Sequence, residues 1–335
     1  MSLLKVFCFV GIALCACTAE PTTPEPNTAN SLETLPDSTR RGDITIHHLF
    51  KHQLLAHAGD TFDSMRIVER VYYPHRILWD SCYGMIFGTE NAPKFQTAEG
   101  MVAWNRTLYP EKRELFDRKV EQLLAANVDS VLDAHLVRFE QMVAHPTGAT
   151  ISLLFTLYQG IGFGGCRADQ FALELNNTDY DIPYTIDYGI PHELNHFAYE
   201  PLHAADPMNG TALALAIDEG FACYFTWLFF DKKMPKRQFV EEMTDEEWAW
   251  YERHEQEIFE ATKDSFADKS GENPLLDPEN FGLFPEAPKT LYYWLGFRMV
   301  ESYVERHGPD SWQDIYELPV REVLLQSGYA EKFDR

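Results

Sequence analysis

"LALAIDEGFACYFTWLFF", Leu213 to Phe230, is apolar around its whole circumference yet carries two adjacent carboxylates, Asp218 and Glu219, at its centre. A helix hydrophobic on all sides is a buried one, and Asp and Glu are almost never fully buried without a partner. An unpaired buried ion costs several kcal/mol even after relaxation. A positive group is therefore expected against this turn.

The group is found upstream, in "PHELNHFAYE", Pro191 to Glu200. His192 and His196 stand four apart, and residues so spaced on a helix lie about 5–6 Å from each other on one face. Two such imidazoles can bind one zinc ion at about 2.0–2.1 Å each. Glu193, one step round the helix, borders the site without competing for the metal, where it can take a proton from a metal-activated water. A catalytic zinc needs a third protein ligand and an open position. "EPLHAADPMNG", Glu200 to Gly210, has two prolines, an Asn and a Gly, which suits a helix–helix turn. The next helix then returns antiparallel and brings Glu219 to the metal, with the small residues Ala216, Gly220, Ala222 and Cys223 permitting close packing. The expected metal set is thus His192, His196 and Glu219 around Zn²⁺, with Glu193 as general base.

Outward from this pair of helices, the pattern changes twice. "TISLLFTLY" (Thr150–Tyr158) is β-branched and aromatic and "QFALELN" (Gln170–Asn176) alternates, so both predict strands. Between them Gly160, Gly162 and Gly165 match GxGxxG, but a nucleotide fingerprint needs a helix directly afterwards, so a glycine-rich turn or cleft edge is expected instead. Residues 43–147 predict a helical N-terminal part: "ITIHHLFKHQLLAH" places Ile46, Leu49, Phe50 and Leu54 at helical spacing, and "EKRELFDRKVEQLLAANVDSVLDAHLVRFEQMVAH" repeats the pattern. His47, His48, His52 and His57 are expected on a helix surface, since no carboxylate sits between His48 and His52 as a base. "DEEWAWYERHEQEIFEATK" and "TLYYWLGFRMVESYVERHG" predict two further helices, the second stopped by Gly308. Helices, then a small sheet, then helices predict an α+β fold, mostly helical.

His192-Glu193-x-x-His196 followed by Glu219-Gly220-Phe221-Ala222 resembles the gluzincin group of zinc metallopeptidases, and is especially similar to bacterial families of zinc-dependent peptidases with HExxH and a downstream EGxA. The likeness runs from the Gly-rich stretch to Gly308. It implies a zincin-like core over residues 148–335, with an active-site helix, a Glu-ligand helix and a small β-sheet whose edge holds extended peptide. It also implies a tyrosine, Tyr292 or Tyr293, donating a hydroxyl to the developing oxyanion; aromatic core is the other reading of this pair. A metzincin would carry Gly at position 199 and His at position 202, where this chain has Tyr199 and Leu202; His203 reads as a loop histidine. Thermolysin-type members place an Asp one turn after the ligand Glu. Cys223 stands there, so the carboxylate orienting a zinc histidine falls to Asp218 or Asp187, and Asp218 is also the rival third ligand. Arg298 is expected to pair with a buried acid.

The composition narrows the partners. With 28 basic against 52 acidic residues the net charge is −24, which excludes nucleic acid, whose phosphates need clustered Lys and Arg, and disfavours electrostatic docking onto anionic lipid.

The N-terminus reads as a targeting segment. "MSLLKVFCFVGIALCAC" has one early Lys5 and a short apolar run too brief for a membrane span. It ends in Leu14-Cys15-Ala16-Cys17, which resembles a bacterial lipobox; a plain secretory signal is the alternative. The resemblance implies removal of residues 1–16 and a lipid anchor on Cys17. The protein would then sit in the cell envelope, on the periplasmic or cell-surface face of the outer membrane. Residues 17–42, rich in Pro, Thr, Asn and Glu, predict a flexible linker, and no later stretch is expected to span a membrane. Of the remaining cysteines, Cys82, Cys166 and Cys223, at most one pair can form a disulfide, and all three suit small buried hydrophobes.

The expected activity is zinc-dependent hydrolysis of a peptide or protein substrate. The alternatives are a lipid-anchored zinc amidase acting on a non-protein amide, and a non-catalytic zinc-containing binding lipoprotein. The sequence sets no oligomeric state.

Overall fold

The computed structural model describes residues 32–333 apart from 146, 159–162, 168, 179–180, 271–272, 274 and 277–282. The signal segment, Cys17, the first part of the expected linker, and Gly160 and Gly162 lie outside the described residues.

Ile44, Ile46 and His48 are buried while Thr45 and His47 between them are half-exposed, and this period of two makes a strand rather than the start of a helix. The helix expected from Ile46 is therefore shorter: strand β2 (Ile44–His48) hands over directly to helix α1 (Leu49–Leu55). The linker expected through residue 42 also ends early. Residues 32–34 form a helical turn, and β1 (Ser38–Arg41) pairs antiparallel with β2 around a tight turn in which Gly42 takes φ +58°, a region that favours glycine.

Strand β3 (Ala149–Leu154) lies parallel to β2, and β5 (Gln170–Glu174) lies parallel to β3. Their near-continuous burial suits strands covered on both faces. The glycine-rich stretch holds a further strand, β4 (Phe163–Arg167), antiparallel to β5 at the edge. The order among the described residues is β1-β2-β3-β5-β4, a mixed sheet of five strands. It draws β1 from the segment expected to be linker and β2 from the segment expected to be helical.

Between β2 and β3 run a helical rod over residues 64–86, in which α, π and 3₁₀ turns alternate, and the longer helices α2 (Ala98–Glu111), α3 (Arg113–Ala126) and α4 (Val128–Met142). After the sheet, the rest is helical: α5 (Ile190–His203), α6 (Ala212–Phe229), α7 (Asp245–Thr262), α8 (Leu291–His307) and α9 (Val320–Ser327). The molecule is α+β and mostly helical, as the pattern predicts.

Helix α6 is the centre of the packing. Thr211 caps it, its hydroxyl accepting from the Ala214 amide at 3.2 Å. Phe225 meets Phe139 of α4, and α5 and α8 flank it. At 18 residues α6 is long and apolar enough to cross a membrane, against expectation, but 67% of it is buried inside the protein. Its close packing is with α8 rather than with α5 alone. A Cβ on Gly220 would lie 2.1 Å from the Gly296 carbonyl carbon, and one on Gly296 1.6 Å from the Ala216 carbonyl oxygen. Only two glycines let these backbones touch.

Cys82 is disulfide-bonded, which corrects its reading as a buried thiol, while Cys223 is a buried free thiol.

Candidate metal centre

Helix α5 is the continuation of a turn at Ile182–Tyr184 and a π-helical segment at Thr185–Gly189, with Pro191 in its first turn, where a missing N–H costs nothing. Phe197 packs edge-on against Phe171 of β5, seating α5 on the sheet. From the opposite side the Tyr316 hydroxyl donates to Asn195 Oδ1 at 2.6 Å, in full burial. These contacts fix the face that carries His192 and His196.

The structure brings His192, His196 and Glu219 together. His192 Nε2 lies 3.1 Å from His196 Nε2 and 3.2 Å from Glu219 Oε2, and His196 Nε2 lies 3.4 Å from the same oxygen. Three ligands at about 2.0–2.1 Å from one tetrahedral ion are separated by about 3.3–3.4 Å. The triangle of donor atoms therefore has the size that a zinc ion requires. His196 Nδ1 lies 2.7 Å from Asp218 Oδ1, so the Nδ1–H donates there and leaves Nε2 facing the other two.

Of the two carboxylates that could orient a histidine, Asp218 does so and Asp187 does not. Asp187 lies instead 3.3 Å from His135 of α4. Asp218 reaches the far nitrogen of His196, and the oxygen facing both Nε2 atoms belongs to Glu219. His203, expected in a loop, is instead the buried last residue of α5, 3.8 Å from Asp206.

Burial works against charging His196, but the Asp218 and Glu219 carboxylates outweigh it and hold the imidazolium well above its ordinary range. His192 is pulled down, by burial first and then by its neighbour His196, against the Glu219 hydrogen bond. Glu219 is held below the usual carboxylate range: burial opposes this, and the two imidazoles overcome it. Glu193 has no such partner. Burial, reinforced by Glu219, Glu200 and Asp218, pushes its carboxyl well up against the opposing pull of His196.

Four carboxyl groups around two imidazoles leave the pocket short of positive charge. A divalent cation at the three-donor point would fit that deficit. Glu200 is a member of this cluster that the sequence pattern does not single out. It stands one turn after His196, 4.0 Å from Nδ1, and burial and Asp218 push it up to about 7. The HExxH spacing stops at His196, though the i,i+4 relation of His196 and Glu200 was a usable signal.

Tyr293 and Tyr292 arrive on α8, across the Gly220–Gly296 contact. The Tyr293 ring stacks on His192, centroids 6.4 Å apart at 14°, and its hydroxyl interacts with Glu219. The Tyr292 ring lies tilted at 45° to that of Tyr293, centroids 4.8 Å apart, and its hydroxyl hydrogen-bonds Tyr293. Arg298 pairs with Glu255 at 3.0 Å and with Glu301, as expected for a cation holding buried acids.

The N-terminal histidines depart from expectation. His48 and His52 are buried, and His48 Nδ1 lies 2.9 Å from the Pro36 carbonyl. His52 pairs with Asp37, and His57 Nε2 lies 2.9 Å from the Asn105 carbonyl oxygen. His47, on β2, packs against His75.

The fold and site together define an α+β protein with a half-buried histidine–carboxylate cluster on two packed helices. Residues 184–331 match the family described as Gliding motility protein GldB, a span that takes in α5 through α9 and every member of the cluster. No curated protein and no solved structure matches the chain.

Proposed function

We propose that the protein is a zinc-dependent peptidase of the bacterial cell envelope, anchored through lipid on Cys17. The observation that carries this reading is the triangle of His192, His196 and Glu219 donor atoms at tetrahedral separations, with Glu193 beside it. The HExxH helix seated on a small sheet with an antiparallel edge strand supports a zincin-like arrangement. The family likeness, whose description is gliding motility, agrees with a bacterial envelope setting.

A bound Zn²⁺ supplies Lewis acidity and makes a water acidic enough to attack near neutral pH. His192, His196 and Glu219 hold the ion, and Asp218 fixes the His196 ring. The Glu193 carboxylate accepts the proton of the attacking water and later passes it to the departing amine nitrogen. The Tyr293 hydroxyl, nearer the donors than Tyr292, hydrogen-bonds the oxyanion as the carbonyl becomes tetrahedral.

Metal analysis and a peptide-library digest test the reading together. Purified protein should carry about one zinc per chain and cleave peptides. Glu193→Gln should keep the zinc and lose about 10²–10⁴-fold in turnover, and Glu219→Ala should lose the zinc. Zinc without cleavage of any peptide would shift the reading to a non-peptide amide or to a binding protein. No zinc in wild type would overturn it.

A further inference from the structure

The rod over residues 64–86 mixes π-helical turns at Ile67–Tyr72 and Ile77–Tyr83 with tighter turns between and around them. π turns are wider than the 3.6 residues of an α turn and 3₁₀ turns are narrower, so the rod repeats at about four residues. Residues four apart consequently stay in line. Met65, Glu69, Tyr73, Ile77, Ser81 and Met85 form that line, and all six are exposed. Its four large apolar members are 57%, 56%, 52% and 71% exposed in the order Met65, Tyr73, Ile77, Met85. Of the nine exposed large hydrophobic side chains among the described residues, these four share one short segment.

We infer that this stripe is a membrane-docking face, lying on the surface of the bilayer that holds the Cys17 anchor. An amphipathic rod with Met, Ile and Tyr on its outer line suits the boundary between headgroups and acyl chains. Arg66, Arg70 and Arg76 flank the stripe, each beside an acid, Asp63, Asp37 and Asp80 in turn. Long arginine side chains can lie along the apolar surface and keep their heads at the phosphates.

The position of the chain's first described residues supplies the occupant. Asp37 lies 3.8 Å from Arg70, and His47 of β2 meets His75, so the chain from Asp37 to His47 runs beside this rod. Fourteen residues, 18–31, separate Cys17 from Leu32, and even fully extended they bridge at most about 50 Å. A lipid on Cys17 thus keeps the face that carries the stripe within reach of the bilayer. The inference rests on the Cys17 anchor, not on the hydrolytic chemistry.

The test uses the mature protein reconstituted in vesicles of phosphatidylcholine and phosphatidylethanolamine. A polarity-sensitive fluorophore is attached at Glu69→Cys, within the stripe, or at Leu325→Cys, an exposed position on α9. The mass of the N-terminal peptide reports acylation separately; if Cys17 is unmodified, the soluble protein is mixed with the same vesicles. The label at position 69 should shift to the blue and be quenched by aqueous iodide at least 3-fold less than the label at 325, with little dependence on salt. Adding Met65→Ser, Tyr73→Ser, Ile77→Ser and Met85→Ser, all exposed positions, should abolish that protection. Equal quenching at 69 and 325 would overturn the inference. So would protection that follows protein concentration rather than lipid, which marks a second copy of the chain on the stripe.

Discussion

Asp218 holds His196 from behind. Its Oδ1 lies 2.7 Å from Nδ1, while Nε2 on the far side of the same ring faces His192 and Glu219. The adjacent carboxylates of the apolar helix therefore divide their work, one orienting a ring and one joining it.

That division predicts two different losses. Asp218→Asn should weaken zinc binding about 10–100-fold while leaving a measurable site, whereas Glu219→Ala should remove it. Competition titration with a chelator of known affinity separates the two. Equal loss from both substitutions would assign Asp218 to the ion itself.

Tyr293→Phe should lower kcat about 10²–10³-fold with little change in KM, as expected when one donor to an oxyanion is removed. Tyr292→Phe should leave both within a few fold, because the Tyr292 hydroxyl hydrogen-bonds Tyr293 whereas the Tyr293 hydroxyl hydrogen-bonds Glu219. Steady-state kinetics on any cleaved peptide decides, and a larger effect at Tyr292 would reverse the assignment.

Gly220→Ala places a methyl group 2.1 Å from the Gly296 backbone, where no side-chain movement can relieve it. Helices α6 and α8 must separate, at a cost of about 3 kcal/mol. Thermal unfolding should show a drop of several degrees, accompanied by loss of zinc because Glu219 is adjacent. An unchanged melting temperature would mean that the two helices are not in backbone contact.

In metal-free protein the contribution of Glu200 to stability should fall as pH rises from about 4.5 to about 7. Glu200 has its folded-state pKa raised to about 7, by burial first and then by Asp218, while its unfolded value is about 4.3. Between these values the folded state binds more protons than the unfolded one, so deprotonation favours unfolding. Glu200→Gln should flatten the profile of melting temperature against pH across that window. A profile unaltered by the substitution would place the effect on another group.

The HExxH spacing and the central Glu219 were legible because both follow from helical period alone. The strand at Ile44–His48 was harder: Ile46, Leu49, Phe50 and Leu54 also satisfy a helical spacing, and the local pattern cannot say that β3 waits to pair with it. The choice of Asp218 over Asp187 depends on the angle at which α6 crosses α5. The partner of Gly220 is likewise set by tertiary packing, since a small residue announces close approach without saying to what. Glu200 escaped notice for a related reason, its environment being made by Asp218 of another helix.

Ile44 finds its strand partner at Ala149, on the far side of all the N-terminal helices. A nascent polypeptide can therefore pair β2 only with β1 until β3 has been synthesised, and long-range pairing of this kind folds slowly. Excising residues 148–335 as a minimal catalytic fragment would strip β3 of its neighbour and leave a raw sheet edge prone to aggregation.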